Sequence, residues 1–264
     1  MPEASEQEFY DSLVGDYDEM TAFDRRLGLA SEFVRALCAH TNVKRAADFA
    51  CGTGLYTIAM AEAGIDVAGI DISPGMIEAA REKALRRGLS GRVKFFVQAM
   101  QERPGDDLHD LDAVICMANS VPHLLDPDDL QATLRNFCGI LRAGGVAVIH
   151  LLNYSRVLKN RERIVSIDRH GSKDFVRFYD FLEDGTVRFN ILRVEWGSES
   201  EKSSEARSHE LQSVRLRPYR YDELQRAMEE AGFTKIECFG SPKFTPFDPH
   251  SSTTVMITGR KPLV

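Results

Sequence analysis

Asp48 stands just ahead of a glycine turn in the run Ala46-Ala47-Asp48-Phe49-Ala50-Cys51-Gly52-Thr53-Gly54. A second acid, Asp71, closes the next apolar stretch in Gly69-Ile70-Asp71-Ile72-Ser73. A glycine-rich turn between a strand and a helix lets backbone approach a ligand closely. An acid about 20 residues further on, at the tip of the following strand, suits a ribose diol. A dinucleotide would put its pyrophosphate at this turn, where the Asp48 carboxylate would repel it. A third glycine for tight helix packing is also absent, since Thr57 holds that position. A ligand with a cationic amino-acid end suits the pair of acids better, and S-adenosylmethionine carries both an ammonium and a ribose. A strand turn that uses glycine for purely structural reasons is the competing reading.

The elements that must position these acids alternate. Ala46 to Phe49 reads as a short strand and Leu55 to Ala63 as a helix stopped by Gly64. Val67 to Ile70 is a second strand, followed by a helix from Met76 to Arg87 with Pro74 near its first turn and Gly88 after its end. Val93 to Val97, Leu111 to Met117 and Val146 to Leu151 continue the strands, the middle one apolar enough to be buried on both faces. A helix spans Leu130 to Leu141, and Arg142 to Gly145 turns the chain into the last of these strands. An earlier helix, Leu27 to Leu37, is expected to bury Leu29, Phe33, Val34 and Leu37. Strand and helix in alternation predict a parallel sheet with right-handed crossovers.

Between Arg156 and Arg217 the texture changes. Phe175 to Phe181, Val187 to Val194 and His209 to Leu216 alternate in part, with a hairpin turn at Glu183-Asp184-Gly185 and a polar, mobile stretch over Ser198 to Ser208. Tyr221 to Glu230 returns to helix, and Ile236 to Phe239 and Thr254 to Thr258 complete the main sheet. The expected fold is α/β: a Rossmann-like, seven-stranded, mostly parallel sheet with helices on both faces and an inserted antiparallel lid. Residues 1–155 and 218–264 would form the cofactor-binding domain and residues 156–217 the lid.

Composition narrows the partners. The 264 residues are 43% hydrophobic and 28% charged, with a formal net charge of -7 and no concentrated basic stretch. That disfavours nucleic-acid and anionic-membrane partners, which need a basic surface. No apolar run reaches membrane-spanning length, and the acidic, polar start Met1-Pro2-Glu3-Ala4-Ser5-Glu6 does not read as a signal peptide. Cys38, Cys51, Cys116, Cys138 and Cys238 form no paired motif, so neither a metal site nor a disulfide framework is expected. Reduced thiols in a cytoplasmic protein follow.

At this point the chain resembles the class I S-adenosylmethionine-dependent methyltransferases from about Phe9 to Arg260. It is most similar there to small-molecule enzymes of the glycine N-methyltransferase and glycine/sarcosine methyltransferase type. The carrying residues are Ala118-Asn119-Ser120-Val121-Pro122-His123-Leu124, Leu141-Arg142-Ala143-Gly144-Gly145, Asn153-Tyr154 and Gly240-Ser241-Pro242-Lys243. Aminosugar N-methyltransferases have a similar inserted sheet. The resemblance implies methyl transfer from S-adenosylmethionine to a nitrogen of a small polar acceptor, and it admits a homodimer, since such lids pair in relatives. It places Ala50, Gly52 and Gly54 of the turn against the cofactor, with Asp48 at its amino-acid end. Asp71, Ile72 and Met76 follow at the second strand tip, Ala99 and Met100 near the adenine, and Met117 and Ala118 at the fourth strand tip. Tyr17 would come over them from the N-terminal segment.

Asn119, His123, Tyr10 and Tyr154 are then the acceptor-side candidates. His123 would take a proton or orient the acceptor, against the plainer reading of a histidine fixed by backbone groups. Tyr10 and Tyr17 would otherwise just pack the leading helix.

Three departures from the family pattern matter. Leu152 stands where glycine-specific members carry an arginine for the substrate carboxylate. Val97-Gln98-Ala99-Met100 lacks the acid many relatives place near the adenine, leaving Met100, Gln98 and Gln101 for that task. No Asn/Asp-Pro-Pro-Tyr/Phe motif follows the fourth strand, which disfavours nucleobase and glutamine amides. Arg215 or Arg217 is a candidate replacement for the missing clamp. Transfer to oxygen or sulfur, and a non-catalytic S-adenosylmethionine-binding regulator, are the competing functions.

Overall fold

The structure, a computed structural model, describes residues 5–197 and 206–263. Met1 to Ala4 of the polar leader and most of the Ser198 to Ser208 stretch lie outside the described residues. Two helices come first, α1 (Glu6–Thr21) and α2 (Phe23–His40). A sheet of alternating units follows: β1 (Arg45–Phe49), α3 (Leu55–Glu62), β2 (Asp66–Asp71), α4 (Pro74–Arg86), β3 (Val93–Val97), β4 (Leu111–Cys116), α5 (Pro127–Ile140) and β5 (Leu141–Leu152). A short helix, α6 (Tyr154–Asn160), leads to four strands: β6 (Ile164–His170), β7 (Lys173–Phe181), β8 (Val187–Trp196) and β9 (Ala206–Leu216). The chain closes with α7 (Tyr221–Glu230), β10 (Thr234–Phe239) and β11 (Thr254–Arg260).

The main sheet has seven strands in the order β10-β11-β5-β4-β1-β2-β3. β5, β4, β1, β2 and β3 are parallel, and β11 and β10 are added antiparallel at one edge. Strand order reverses at β1, which pairs β2 on one side and β4 on the other. Ligands of open α/β sheets bind beyond the carboxyl ends of strands at such a reversal, and Asp48 and the glycine turn sit at that point. Apolar residues fill both faces. Phe33, Val34 and Leu37 of α2 and Ile58 and Met60 of α3 cover one. Leu134 and Phe137 of α5 and Leu224 and Met228 of α7 cover the other.

The second sheet, β6-β7-β8-β9, is antiparallel throughout. Its Phe175, Tyr179, Val187, Ile191, Val214 and Leu216 join the same core as Phe9, Leu13 and Met20 of α1. The inserted sheet and the N-terminal helix therefore pack together as a cover over the strand tips.

The elements differ from expectation in three places. Leu29 is 56% exposed, because the buried stripe of α2 runs Leu27, Ala30, Phe33, Val34 and Leu37 at helical spacing. The Arg142 to Gly145 turn is instead an irregularity inside β5, where register moves from Leu111 opposite Leu141 to Ala113 opposite Val146. Gly145 lies so near the backbone there that a Cβ would come 2.9 Å from the Leu111 and Arg142 carbonyl oxygens. The inserted sheet also has a fourth strand, β6, which polar and charged residues hide from a periodicity reading. Its outward Ile164 and Ile167 are 56% and 68% exposed. Among the described residues, no helix is long and apolar enough to cross a membrane.

Candidate active site

The turn after β1 is wired to the tip of β2. The Cys51 N–H donates to the Ile70 carbonyl at 3.0 Å. Asp71 accepts from the Gly52 N–H at 2.7 Å and the Ser73 N–H at 2.9 Å. Ala50 adopts φ 54°, a left-handed conformation that costs an L-residue roughly 1–2 kcal/mol. Gly54 has φ 89°, and a Cβ there would press on Ala80 of α4 at 3.2 Å. Its role is the turn and the α3–α4 approach, and it does not line the cavity that its neighbours form.

Asp48 and Asp71 open into one cavity. Asp48 is 1% exposed and accepts from the Thr57 hydroxyl at 2.7 Å. Burial, opposed by the Thr57 hydrogen bonds and reinforced by Asp71, pushes its carboxyl up to about 7. Burial likewise raises Asp71, against the hydrogen bonds of Ser73 and Gly52. A third acid, Glu6 of α1, lines the same cavity, and burial followed by Asp71 pushes it up to about 8. Three carboxylates facing one space, Asp48 and Asp71 buried and Glu6 partly so, all with raised proton affinity, form a site short of positive charge.

α1 is held over this cavity by its own acids. Asp11 accepts from the Ser73 hydroxyl and, at 3.4 Å, from the Gly75 N–H. Asp18 accepts from the Thr53 hydroxyl at 2.6 Å and pairs with Lys83. Tyr17 thereby lies across Gly52, within 3.7 Å of where a Cβ would stand. Arg26 of α2 reaches the cavity as well, near Tyr56 and Tyr17. At the other end Ile72, Met76, Ala99 and Met100 supply an apolar wall. Gln98 cannot serve freely there, because its amide donates to the Glu102 and Arg103 carbonyls at 3.2 and 3.0 Å.

A second cavity adjoins the first and lies under the inserted sheet. Tyr10, Tyr17, Arg26, Ala118 and His123 belong to both. The wall between them is built by the loop after β4, where Ala118 and Asn119 take φ 60° and 71° in succession. Backbone in this region persists only where its surroundings over-determine it, and here they do. The Asn119 N–H donates to the His150 carbonyl at 3.0 Å, its side-chain oxygen accepts from the Leu152 N–H at 3.1 Å, and its amide donates to the Tyr154 hydroxyl at 3.0 Å. His123 Nε2 meets the Tyr10 hydroxyl at 2.9 Å, and its Nδ1 stands 3.8 Å from Glu6. Burial pulls the imidazole down to about 3, so it is neutral near pH 7.

Of the positions assigned to the cofactor, all but Gly54 line the first cavity. Tyr10 and His123 line both cavities and Asn119 the second. Tyr154 lines neither; it is 1% exposed and props Asn119 from behind, beside Tyr179 at 3.3 Å. The candidate clamps fall elsewhere. Arg215 pairs with Asp184 at 2.7 Å and Arg217 reaches the Leu125 carbonyl, because both leave the sheet on its outer side. Glu6, Arg26 and His150 escaped the sequence reading. Their positions follow no motif spacing, and only packing of α1 and α2 onto the strand tips brings them in.

Comparison with known proteins agrees with this geometry. Residues 46–145 match the family model described as a methyltransferase domain. A glycine/sarcosine N-methyltransferase of Aphanothece halophytica is 28% identical over 240 residues, covering 89% of this chain and 83% of that one. A glycine/sarcosine N-methyltransferase of Halorhodospira halochloris is also 28% identical, covering 90% and 84%. An S-adenosylmethionine-dependent methyltransferase of Clostridium acetobutylicum shares the fold, with a TM-score of 0.78 over 96% of this chain and 99% of that one at 16% identity. Sheet order, acid-lined cavity and these matches together support a class I S-adenosylmethionine-dependent methyltransferase. Within that superfamily the chain stands near the glycine N-methyltransferase branch, with S-adenosylmethionine as methyl donor.

Proposed function

We propose that this enzyme methylates a nitrogen of a small polar metabolite. The observation that carries the reading is the set of Glu6, Asp48 and Asp71 in one buried cavity, joined through a shared wall to a second, acceptor-sized space. The residues fit the cofactor group by group. Asp48 takes its ammonium, Arg26 its carboxylate, Asp71 its ribose diol, and Met100 with Ile72 its adenine. Bound there, S-adenosylmethionine supplies a methyl carbon on a sulfonium.

Tyr10, Asn119 and His123 stand where the two cavities meet and hold the acceptor nitrogen in line. A neutral amine is already nucleophilic, so positioning supplies most of the acceleration. A hydroxyl acceptor would need a competent base, and an imidazole pulled down to about 3 is a poor one. That observation favours nitrogen over oxygen. The names of the two glycine/sarcosine relatives support the same choice. α1 and the inserted sheet exclude water from the junction. The five cysteines are all free, which supports a cytoplasmic setting.

Calorimetry with S-adenosylhomocysteine, then turnover of amines with labelled methyl, tests the reading. Asp71→Ala is expected to weaken cofactor binding by about 1–3 kcal/mol. Unchanged affinity in that variant, or no labelled amine from any acceptor, would reject it.

A further inference from the structure

His150 belongs to the second cavity and has no role in the first. It lies near the end of β5, between Ile149 and Leu151, which are fully buried on the opposite face. Both of its ring nitrogens are shut off from solvent, and neither has a hydrogen-bond partner among the described residues. A buried polar atom left unpaired is costly, and native structures keep few of them. Burial first, and the Arg26 guanidinium second, pull the imidazole down to about 4. His150 is therefore neutral, with one N–H to donate and one nitrogen to accept.

Of the three arginines that line this chamber, Arg177 is already committed. Arg177 donates to Asp168 at 2.7 Å and to Ser166 at 2.6 Å. Arg26 sits on the wall shared with the cofactor cavity, where the methionine carboxylate would claim it. Arg25 is exposed at the rim. The rest of the wall is largely apolar, with Leu13, Met20, Leu152, Val165, Phe189 and Ile191 among its residues. A carboxylate placed beside Leu152 would lose its hydration without gaining a guanidinium, which is costly.

Resting on the nitrogen-methylation reading, we propose that His150 is a specificity-determining residue that binds a hydroxyl or amide of the acceptor. The acceptor is then an amine on an apolar body with a neutral polar group, and not an amino-acid carboxylate. The chamber would thereby select differently from enzymes that act on glycine or sarcosine.

The test uses two matched series: leucinol, leucine and isoamylamine, and phenylalaninol, phenylalanine and phenethylamine. Turnover is read as labelled methyl, and acceptor binding by calorimetry on the protein saturated with S-adenosylhomocysteine. The amino alcohols are expected to exceed the plain amines in kcat/KM by roughly ten-fold or more, and the amino acids to be the poorest of each series. His150→Phe is expected to erase the advantage of the alcohols through KM, with kcat for the plain amines and S-adenosylhomocysteine affinity unchanged. His150→Asn, which keeps a donor and an acceptor, is expected to restore part of it. Amino acids turned over as well as the alcohols, or an alcohol preference that survives His150→Phe, would overturn the proposal. So would failure of every compound to bind. Binding that depends on His150 without methylation would instead sustain it and sink the nitrogen-transfer reading.

Discussion

Asp48→Asn should stabilise the ligand-free protein and weaken its hold on the cofactor at the same time. The substitution keeps shape and leaves an oxygen to accept the Thr57 hydroxyl, now at 2.7 Å. What it removes is a buried charge. The native carboxyl is raised from 3.8 to about 7, chiefly by burial. Each pH unit of that interval corresponds to about 1.36 kcal/mol, so the ionised form costs up to ~4 kcal/mol in the ligand-free fold. A folded-state value above the unfolded one means the contribution is fully present below about pH 4 and is lost as pH rises through about 7. The amide suffers no such loss. Urea unfolding should find the variant level with the parent near pH 4 and ahead by about 2–4 kcal/mol near pH 8. Calorimetry with S-adenosylhomocysteine should show affinity down by roughly 10- to 100-fold, the value of a charge-assisted hydrogen bond to the ammonium. A ligand-free variant less stable than the parent near pH 8 would mean that Asp48 is already compensated in the empty site. Unchanged affinity would mean that it does not meet the ligand. Either result breaks the argument.

Three further outcomes are expected. Ala50→Gly should raise stability by up to about 1 kcal/mol in urea unfolding, since glycine accepts the positive φ without strain, less its own entropy in the unfolded chain. Because burial lowers His123 to about 3, the pH–rate profile should carry no inflection from it between roughly pH 5 and 9. A step near neutrality that vanishes in His123→Gln would contradict its burial. Leu152→Arg should raise glycine turnover at least about ten-fold, because it restores a bidentate partner for a carboxylate beside Asn119. No gain would show that the clamp needs more than this one residue.

The sequence by itself determined the sheet, the glycine turn and the two acids at its tips. Those features are local: side-chain alternation sets strands, glycine sets the turn, and a fixed strand–helix spacing carries Asp48 and Asp71 to adjacent ends of β1 and β2. It also marked Asn119 and His123, because they follow directly on β4. The tertiary structure decided the rest. Glu6 enters the cavity from a helix about a hundred residues away in sequence from the His123 it faces, and the lid arginines turn outward to Asp184 and Leu125. Tyr154 becomes a prop, and the His150 ring is left without a hydrogen-bond partner among the described residues. No spacing along a chain encodes such relations. Whether a buried nitrogen has a partner depends on every element packed around it, and those elements meet only when the fold closes.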